Sequence, residues 1–174
     1  AKTVTGSFTA ANKAYDATNT ATILTRTITP ADLVGSDDVT LTGGAAIFDN
    51  QNIGTNKPVT GTGFGLGGAD AGNYTLGSIA TTTADITARL LTVSATGVDR
   101  MYDGTTNATV TLADDRVAGD HLSASYTAAS FADQNVGTNK PVNVSGITVT
   151  GSDSTNYTFN PTATTTANIT AKTV

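Results

Sequence analysis

The chain has 174 residues, with 9 basic and 14 acidic side chains and a net charge of −5 at pH 7. A chain with this charge does not gather phosphate backbones or anionic lipid surfaces, so neither nucleic acid nor a membrane surface is an expected partner. Cysteine is absent, which excludes disulfides and thiolate sites, and no apolar run approaches the roughly 20 residues that span a bilayer.

A nine-residue segment occurs twice, at 51–59 and 134–142, and only one of its nine positions differs between the copies. Phe48 and Phe131 precede the two copies at the same distance. A segment of this length that recurs at one spacing indicates a duplicated structural unit. The repeat therefore decides the domain organisation before any other argument.

Two further motifs keep the copies in register along the chain. They are Asn73-Tyr74 with Asn156-Tyr157, and Tyr15-Asp16 with Tyr102-Asp103. We predict two domains, residues 1–87 and residues 88–170. Residues 171–174 repeat residues 1–4 letter for letter, and we expect them to begin a third repeat.

The composition indicates a mostly β chain. Charged residues make up 13% of the sequence, against about 25% in ordinary domains. Thr supplies about one residue in five, while Glu and Trp are absent. Thr is β-branched and suits a pleated, half-solvated surface, whereas the strong helix formers are scarce.

Each unit is predicted to open with a strand of alternating apolar and polar residues, followed by the Tyr-Asp-x-Thr turn. Asp103-Gly104 is a turn dipeptide that favours positive φ. Ala17 takes the place of Gly104 in the first unit. We therefore expect that this turn does not need positive φ in both units, and that Asp16 and Asp103 fix it by binding nearby amides.

Only one kind of segment looks helical. Residues 29–35 offer a capping Thr, a Pro at the first helical position and a terminal Gly, and residues 113–119 occupy the same place in the second unit. We expect at most one turn of helix in each unit.

The repeated nine-residue segment is predicted to be a loop. Pro58 and Pro141 cannot donate to a ladder, so each should mark a strand start or an edge strand. Lys57 and Lys140 precede these prolines and are expected in exposed turns. The alternative is a Lys-Asn isopeptide crosslink, which needs a catalytic acid beside the pair in a dry core.

The last strand of the first unit runs into the second unit without Gly or Pro, which favours a stiff junction. The predicted fold is thus all-β, with two tandem small β-sandwich domains arranged as an elongated rod. The sequence leaves open whether each sandwich is Ig-like or β-grasp-like.

Few residues suggest chemistry. His121 is the single histidine, and a lone His supports neither a catalytic triad nor a zinc site. Acidic side chains in loops are weak calcium candidates, because calcium needs several convergent oxygens. These candidates are Asp37, Asp38, Asp114, Asp115 and Asp120. Their use as turn formers is favoured, so no metal, cofactor or catalytic residue is expected.

Taken together, these motifs resemble the YDG/MBG class of repeats. The segments that carry the resemblance are 102–105, 131–142, 151–157 and 169–170, and the first unit departs from it at Ala17 and by a longer loop. The resemblance implies long secreted bacterial adhesins, including filamentous-haemagglutinin-like proteins exported by two-partner secretion and biofilm matrix adhesins. It implies a location on the bacterial cell surface or in the biofilm matrix, and it transfers no catalytic residue.

The expected function is that of a structural stalk in such an adhesin, spacing or presenting a binding region. The expected partners are neighbouring repeats of the same chain, in a monomer that is neither an enzyme nor inserted in a membrane. The alternative is a module that binds exopolysaccharide or surface glycans. Sugar sites stack aromatic rings on the ligand, but most Tyr and Phe here recur at core-like positions, with Tyr126 as the exception.

Overall fold

The computed structural model describes all 174 residues of the chain. They form two compact units, Ala1–Ala88 and Arg89–Val174. Eighteen β-strands and three short 3-10 turns make up the regular structure. The prediction of a mostly β chain is therefore confirmed.

The first unit contains eight strands in two sheets. Its strands are β1 (Lys2–Ala10), β2 (Lys13–Ala14), β3 (Thr20–Ala21), β4 (Ile23–Ile28), β5 (Thr40–Phe48), β6 (Gly54–Gly67), β7 (Tyr74–Ile79) and β8 (Thr82–Thr87). One sheet has the order β4-β1-β7, and the other has the order β2-β8-β6-β5-β3.

The core of the first unit draws side chains from both of its sheets. Val4 of β1, Ile28 of β4, Leu41 of β5 and Tyr74 of β7 form one buried cluster with Val39. Full burial of an aliphatic side chain of this size contributes about 1.5–3 kcal/mol. The apolar side chains that alternate along these strands thus form the contact between the two sheets.

The second unit contains ten shorter strands. They are β9 (Arg89–Leu91), β10 (Val93–Val98), β11 (Arg100–Met101), β12 (Thr109–Asp114), β13 (Ser123–Ser125), β14 (Ala128–Phe131), β15 (Gly137–Ser145), β16 (Thr148–Thr150), β17 (Tyr157–Phe159) and β18 (Thr162–Thr170). A four-stranded sheet has the order β11-β18-β15-β14, and three strand pairs, β10-β12, β13-β16 and β17-β9, complete the unit.

Glycines explain why the long hairpin of the first unit is interrupted in the second. Gly43 and Gly44 of β5 and Gly63 of β6 adopt positive φ values of 66°, 89° and 71°, and the two strands pair along almost their whole length. Tyr126 and Thr127 occupy the positions of the first two glycines and lie in the break between β13 and β14. A β-carbon disfavours positive φ, so the second unit does not continue the strand through this point.

The first two strands of the first unit run parallel to its last two strands and pair with them at two places. In the first, β1 pairs with β7, where Lys2 lies opposite Tyr74 and Val4 opposite Leu76. In the second, β2 pairs with β8 at residues 13–14 and 86–87. Because the paired strands are parallel, the chain enters at one end of the unit and leaves at the other.

The second unit repeats this arrangement with shorter strands. β9 pairs with β17 in parallel, where Arg89 lies opposite Tyr157. β11 pairs with the end of β18 in parallel, where Arg100 lies opposite Ile169. Each unit is therefore closed by contacts between its own first and last segments.

A helical turn forms within residues 29–35 of the first unit but not within residues 113–119 of the second. Pro30–Asp32 forms a single 3-10 turn, although Thr29 makes no side-chain capping bond to it. Residues 115–119 are irregular in the second unit, where Arg116 donates its N–H and guanidinium to Asp114. That local pair competes with the helical hydrogen bonds, so residues 113–119 form no helical turn.

The repeated segment is mostly strand, which corrects the prediction of a loop ending at a strand start. Pro58 lies inside β6 and Pro141 inside β15, and both strands have neighbours on each side. The ladder register shifts immediately before each proline, at Asn56 and Asn139, whose φ values are 50° and 49°. Pro is tolerated in a central strand at such an irregularity.

The Tyr-Asp-x-Thr turn uses positive φ in both units, which contradicts the expectation drawn from Ala17. The φ of Ala17 is 60° and that of Gly104 is 79°. The side chain of Asp16 accepts the Thr18 N–H at 2.9 Å, which holds the turn in this conformation. The hydrogen bonds of the turn therefore outweigh the backbone preference of alanine.

We predict that Ala17→Gly stabilises the first unit by about 0.5–1 kcal/mol, because it removes a β-carbon from left-handed backbone. The matched change Gly104→Ala should destabilise the second unit by about 1 kcal/mol, and no atom lies closer than 4.0 Å to the added carbon. Native-state hydrogen exchange of the two-unit chain measures each unit separately. A loss of protection in the first unit of Ala17→Gly would contradict this account.

Candidate functional site

The polar residues that recur in both units form four clusters in each unit. The first is the turn cluster, which in the first unit consists of Lys13, Asp16, Thr18 and Phe48. Lys13 Nζ donates to Asp16 Oδ1 at 2.8 Å and lies 5.7 Å from the centre of the Phe48 ring. Burial opposes ionisation of Asp16, but the bonds from Lys13 and Thr18 outweigh it and lower the pKa of this carboxyl.

The second unit builds the same turn cluster with a different cation. Asp103 accepts a hydrogen bond from the Thr105 N–H at 2.9 Å. It also forms an ion pair with Arg100. The Arg100 guanidinium lies 5.2 Å from the centre of the Phe131 ring. The Thr105 amide and Arg100 lower the pKa of Asp103. The aspartates of this motif therefore stabilise the turn in both units.

The tyrosine cluster fixes the loop that precedes β5, the first strand of the central β5-β6 hairpin. The Tyr74 hydroxyl donates to Asp37 Oδ2 at 2.7 Å and accepts the Val34 N–H at 3.0 Å. The hydrogen bond to Asp37, together with burial, raises the pKa of Tyr74. The tyrosine thereby ties the start of β7 to a loop that lies about 40 residues earlier.

The matching cluster of the second unit has the same geometry. The Tyr157 hydroxyl donates to Asp120 Oδ2 at 2.6 Å and accepts the Val117 N–H at 3.0 Å. Burial, and then the bond to Asp120, raises the pKa of Tyr157. Asn73 and Asn156 donate their backbone N–H groups in the preceding turns, and the Asn156 side chain is buried while that of Asn73 is exposed.

The weak calcium candidates are bound to protein donors in this structure. Asp37 and Asp120 accept the tyrosine hydroxyls described above, and Asp38 accepts the Ala69 N–H at 3.0 Å. Asp114 binds the guanidinium of Arg116 through both of its oxygens, and Asp115 accepts the Thr92 N–H at 2.7 Å. No three His, Cys, Asp or Glu side chains converge as a metal site would require.

The lysine cluster corrects the expectation of exposed lysines. Lys57 is only 8% exposed, and its Nζ lies 2.9 Å from Asp49 Oδ1 and 3.0 Å from Asn50 Oδ1. Lys140 pairs with Asp133 in the second unit. Irregular strand backbone before each proline directs the side chain inward rather than into solvent.

The charge state of this cluster favours an ion pair over a crosslink. The hydrogen bond from Lys57 lowers the pKa of Asp49, and that from Lys140 lowers the pKa of Asp133. An isopeptide reaction needs a neutral amine and a protonated acid, whereas these contacts stabilise the ammonium and the carboxylate.

The fourth cluster, the terminal clasp, was missed in the sequence. In the first unit, Asp85 Oδ2 accepts from the Asn12 amide at 3.4 Å, and the Asp85 N–H donates to Asn12 Oδ1 at 2.7 Å. In the second unit, Asn168 donates its N–H and its side-chain amide to Asp99 at 2.7 and 2.8 Å. The Asn and the Asp have exchanged places, and that exchange at aligned positions was the available signal.

Each unit also carries a cavity beside its copy of the repeated segment. In the first unit the cavity has a volume of about 520 Å³ and lies between residues 53–55 and 85–88. In the second unit it has a volume of about 450 Å³ and is lined by Tyr102, Asn135, Val136, Ala171, Lys172 and Val174.

The single histidine, His121, lines neither of these two cavities. The His121 side chain is 85% exposed, with its Nδ1 3.8 Å from Asp153. The His121 N–H donates to Asp153 at 2.9 Å and lowers the pKa of that carboxyl. The backbone of His121 therefore contributes to the fold. Among the helices there is none with the length and apolar character needed to cross a bilayer.

Comparison with known proteins gives one result. A model of the YDG domain family matches the chain twice, over residues 1–84 and residues 87–167. Neither a curated protein nor a solved structure matches the chain.

This result corrects the narrower attribution made from the motifs. The match is to the YDG domain as such, and it is not evidence of YDG/MBG repeats from secreted bacterial adhesins. No curated relative supplies that link either. The attribution to the adhesin class is therefore wrong. The two family matches do agree with a duplicated domain.

We predict that the terminal clasp depends on pairing one amide with one carboxylate. Asn12→Asp places two carboxylates together and should lower the free energy of unfolding of the first unit by about 1 kcal/mol. The double change Asn12→Asp with Asp85→Asn reproduces the order of the second unit and should restore most of that loss. Hydrogen exchange of the first unit measures both, and strictly additive losses would contradict the pairing.

We also predict a loss of stability at alkaline pH that arises from the tyrosine clusters. The pKa values of Tyr74 and Tyr157 are raised in the fold, so their stabilisation is present below the unfolded value of about 10 and is lost as the pH rises through the folded value. Tyr74→Phe and Tyr157→Phe should be less stable at neutral pH but less sensitive to alkali. Tyr102→Phe is the control, and an equal effect there in thermal unfolding would refute the assignment.

Proposed function

The chain belongs to the YDG domain family over both of its units, and we propose that these domains are structural spacer repeats of an extracellular protein. In this role they hold a binding region away from its point of attachment. Their contribution is mechanical rather than chemical.

The position of the chain ends within each unit is the observation that carries this proposal. Parallel pairing between the first and last segments places entry and exit at opposite ends of the unit. Strand β1 alone, with nine residues, extends for about 30 Å. A unit of this kind adds length each time it is repeated, whereas a unit with adjacent ends does not.

The use of the polar residues also supports a spacer. In both units the aspartates, tyrosines and lysines of the repeat bind one another or the backbone, as in the pairs Asp37 with Tyr74 and Asp120 with Tyr157. The groups that could recognise a ligand are thus engaged in holding the fold. Duplication has preserved the intramolecular contacts.

The sequence of the junction supports a stiff connection. Residues 84–91 contain neither Gly nor Pro, and strands end and begin at Thr87 and Arg89. A linker without these residues has less conformational freedom than a flexible one. We include an elongated, rod-like arrangement of the two units in the proposal.

A site for exopolysaccharide is the second candidate, because Tyr102 is 36% exposed beside the cavity of the second unit. Sugar recognition by aromatic stacking needs an accessible ring. The matching Tyr15 of the first unit is only 1% exposed. This difference favours the spacer over a sugar site that recurs in every repeat.

We predict that small-angle X-ray scattering of the two-unit chain gives one narrow, extended distance distribution that is the same with calcium and with chelator. The control replaces Thr87 and Ala88 with glycine, which should broaden the distribution because glycine frees the junction. A compact or already broad distribution for the unchanged chain would overturn the rod. Stiffening only with calcium would show that the loop aspartates bind the metal.

A further inference from the structure

The parallel pairing between the first and last segments of each unit has a mechanical consequence. We propose that each unit is a shear clamp, in which parallel contacts between its first and last segments resist a force applied through the chain ends. The inference rests on the spacer proposal for its biological purpose, but the pairing by itself predicts the mechanical property.

The clamp of the first unit joins residues 2–15 to residues 74–87 at several points. At one end β1 lies beside β7, and Ala80 donates its N–H to Gly6 O at 2.9 Å. At the other end β2 lies beside β8, and Tyr15 donates its N–H to Thr87 O at 2.9 Å. The contacts therefore hold both ends of the entering segment.

The terminal clasp reinforces this contact with side chains. Asn12 and Asp85 join the entering segment to β8 in the first unit. Asp99 and Asn168 join the entering segment to β18 in the second. Asp85 also accepts the Asn56 N–H at 2.8 Å, which links the clasp to β6. The clasp thus joins the first segment, the last strand and the central hairpin.

The second unit has a clamp of the same design. Asn160 accepts the Val93 N–H at 2.8 Å and donates to Val93 O at 2.9 Å. Tyr102 donates its N–H to Thr170 O at 2.9 Å. The entering segment is therefore bound to the leaving segment at both ends of this unit too.

The direction of pulling decides how such bonds fail. When neighbouring parallel strands are pulled from opposite ends, they must slide past each other, and the hydrogen bonds between them are strained together. Pulled from the same end, they open one bond at a time. Here the chain ends impose the first geometry on both units.

Sliding would also draw core side chains out of the interior. Val4 on β1 and Ile86 on β8 are 0% and 2% exposed, and Leu91 on β9 and Ile169 on β18 are 0% and 1% exposed. The strands that carry the load therefore also carry some of the most buried residues. Their displacement exposes apolar surface at the same time as it breaks the ladder.

The test is single-molecule force spectroscopy of the two-unit chain held by its two ends. We expect two separate rupture events, one for each unit. A second attachment uses the variant Lys2→Cys with Asn73→Cys, whose two positions are exposed and lie at the same end of the β1-β7 pair. The chain has no other cysteine, so the pulling points are unique.

Pulling through residues 2 and 73 peels the β1-β7 pair instead of shearing it. We expect the rupture force of the first unit to fall by a factor of about two or more, because forced unfolding follows the unfolding barrier along the pulled direction. Equal rupture forces in the two geometries would overturn the clamp without requiring any change to the fold.

A pair of variants then tests the clasp itself. Asp85→Ala removes an acceptor that joins the first and last segments, whereas Asp32→Ala removes an acceptor that binds the Thr5 N–H at 2.8 Å and the Thr5 hydroxyl at 2.7 Å. For the same loss of equilibrium stability, Asp85→Ala should lower the end-to-end rupture force more. An equal or smaller effect would remove the clasp from the proposal.

These outcomes are distinguishable from a failure of the spacer proposal. A flexible arrangement in the scattering experiment would overturn the rod while leaving the rupture force of each unit unchanged. A low rupture force with an extended scattering profile would overturn the clamp and leave the spacer in place.

Discussion

The parallel contact between the first and last segments of each unit is the constraint on which the rest of the structure depends. It brings Val4 and Tyr74 into one core and places Lys13 beside Ile86 at the other end. Parallel neighbours cannot be joined by a tight hairpin, so the intervening chain must return through other strands. The remaining strands of the unit carry the chain back to the parallel partner. The tyrosine and lysine clusters fix the loops between these strands.

The two units preserve contacts more strictly than residues. The turn cluster has Lys13 in one unit and Arg100 in the other, each beside an aspartate and above a phenylalanine. The acid that binds the repeated lysine is Asp49 in one unit and Asp133, one position further along the aligned segment, in the other. Since either position brings a carboxylate to the same ammonium, the interaction survives the shift.

This pattern of preserved intramolecular contacts fits the spacer role that we propose for the two units. The YDG domains of this chain use their charged groups to fix turns, loop positions and terminal contacts. Several of these bonds are ionised pairs at the surface, whose individual contributions are small. Their recurrence at corresponding places indicates that they act by specifying register and loop position rather than by adding much stability.

The sequence by itself determined the duplication, the all-β class and the position of the Tyr-Asp-x-Thr turn, because these depend on local patterns and on identity between copies. It did not reveal that Ala17 adopts positive φ, that Lys57 is buried or that Pro58 lies in a central strand. The positions of Lys57 and Pro58 depend on a strand irregularity that composition does not encode, and the Asp16–Thr18 hydrogen bond holds Ala17 against its own backbone preference. The parallel pairing of the chain ends was likewise decided only in the tertiary structure, because it joins segments about 70 residues apart whose local patterns suit many strand orders.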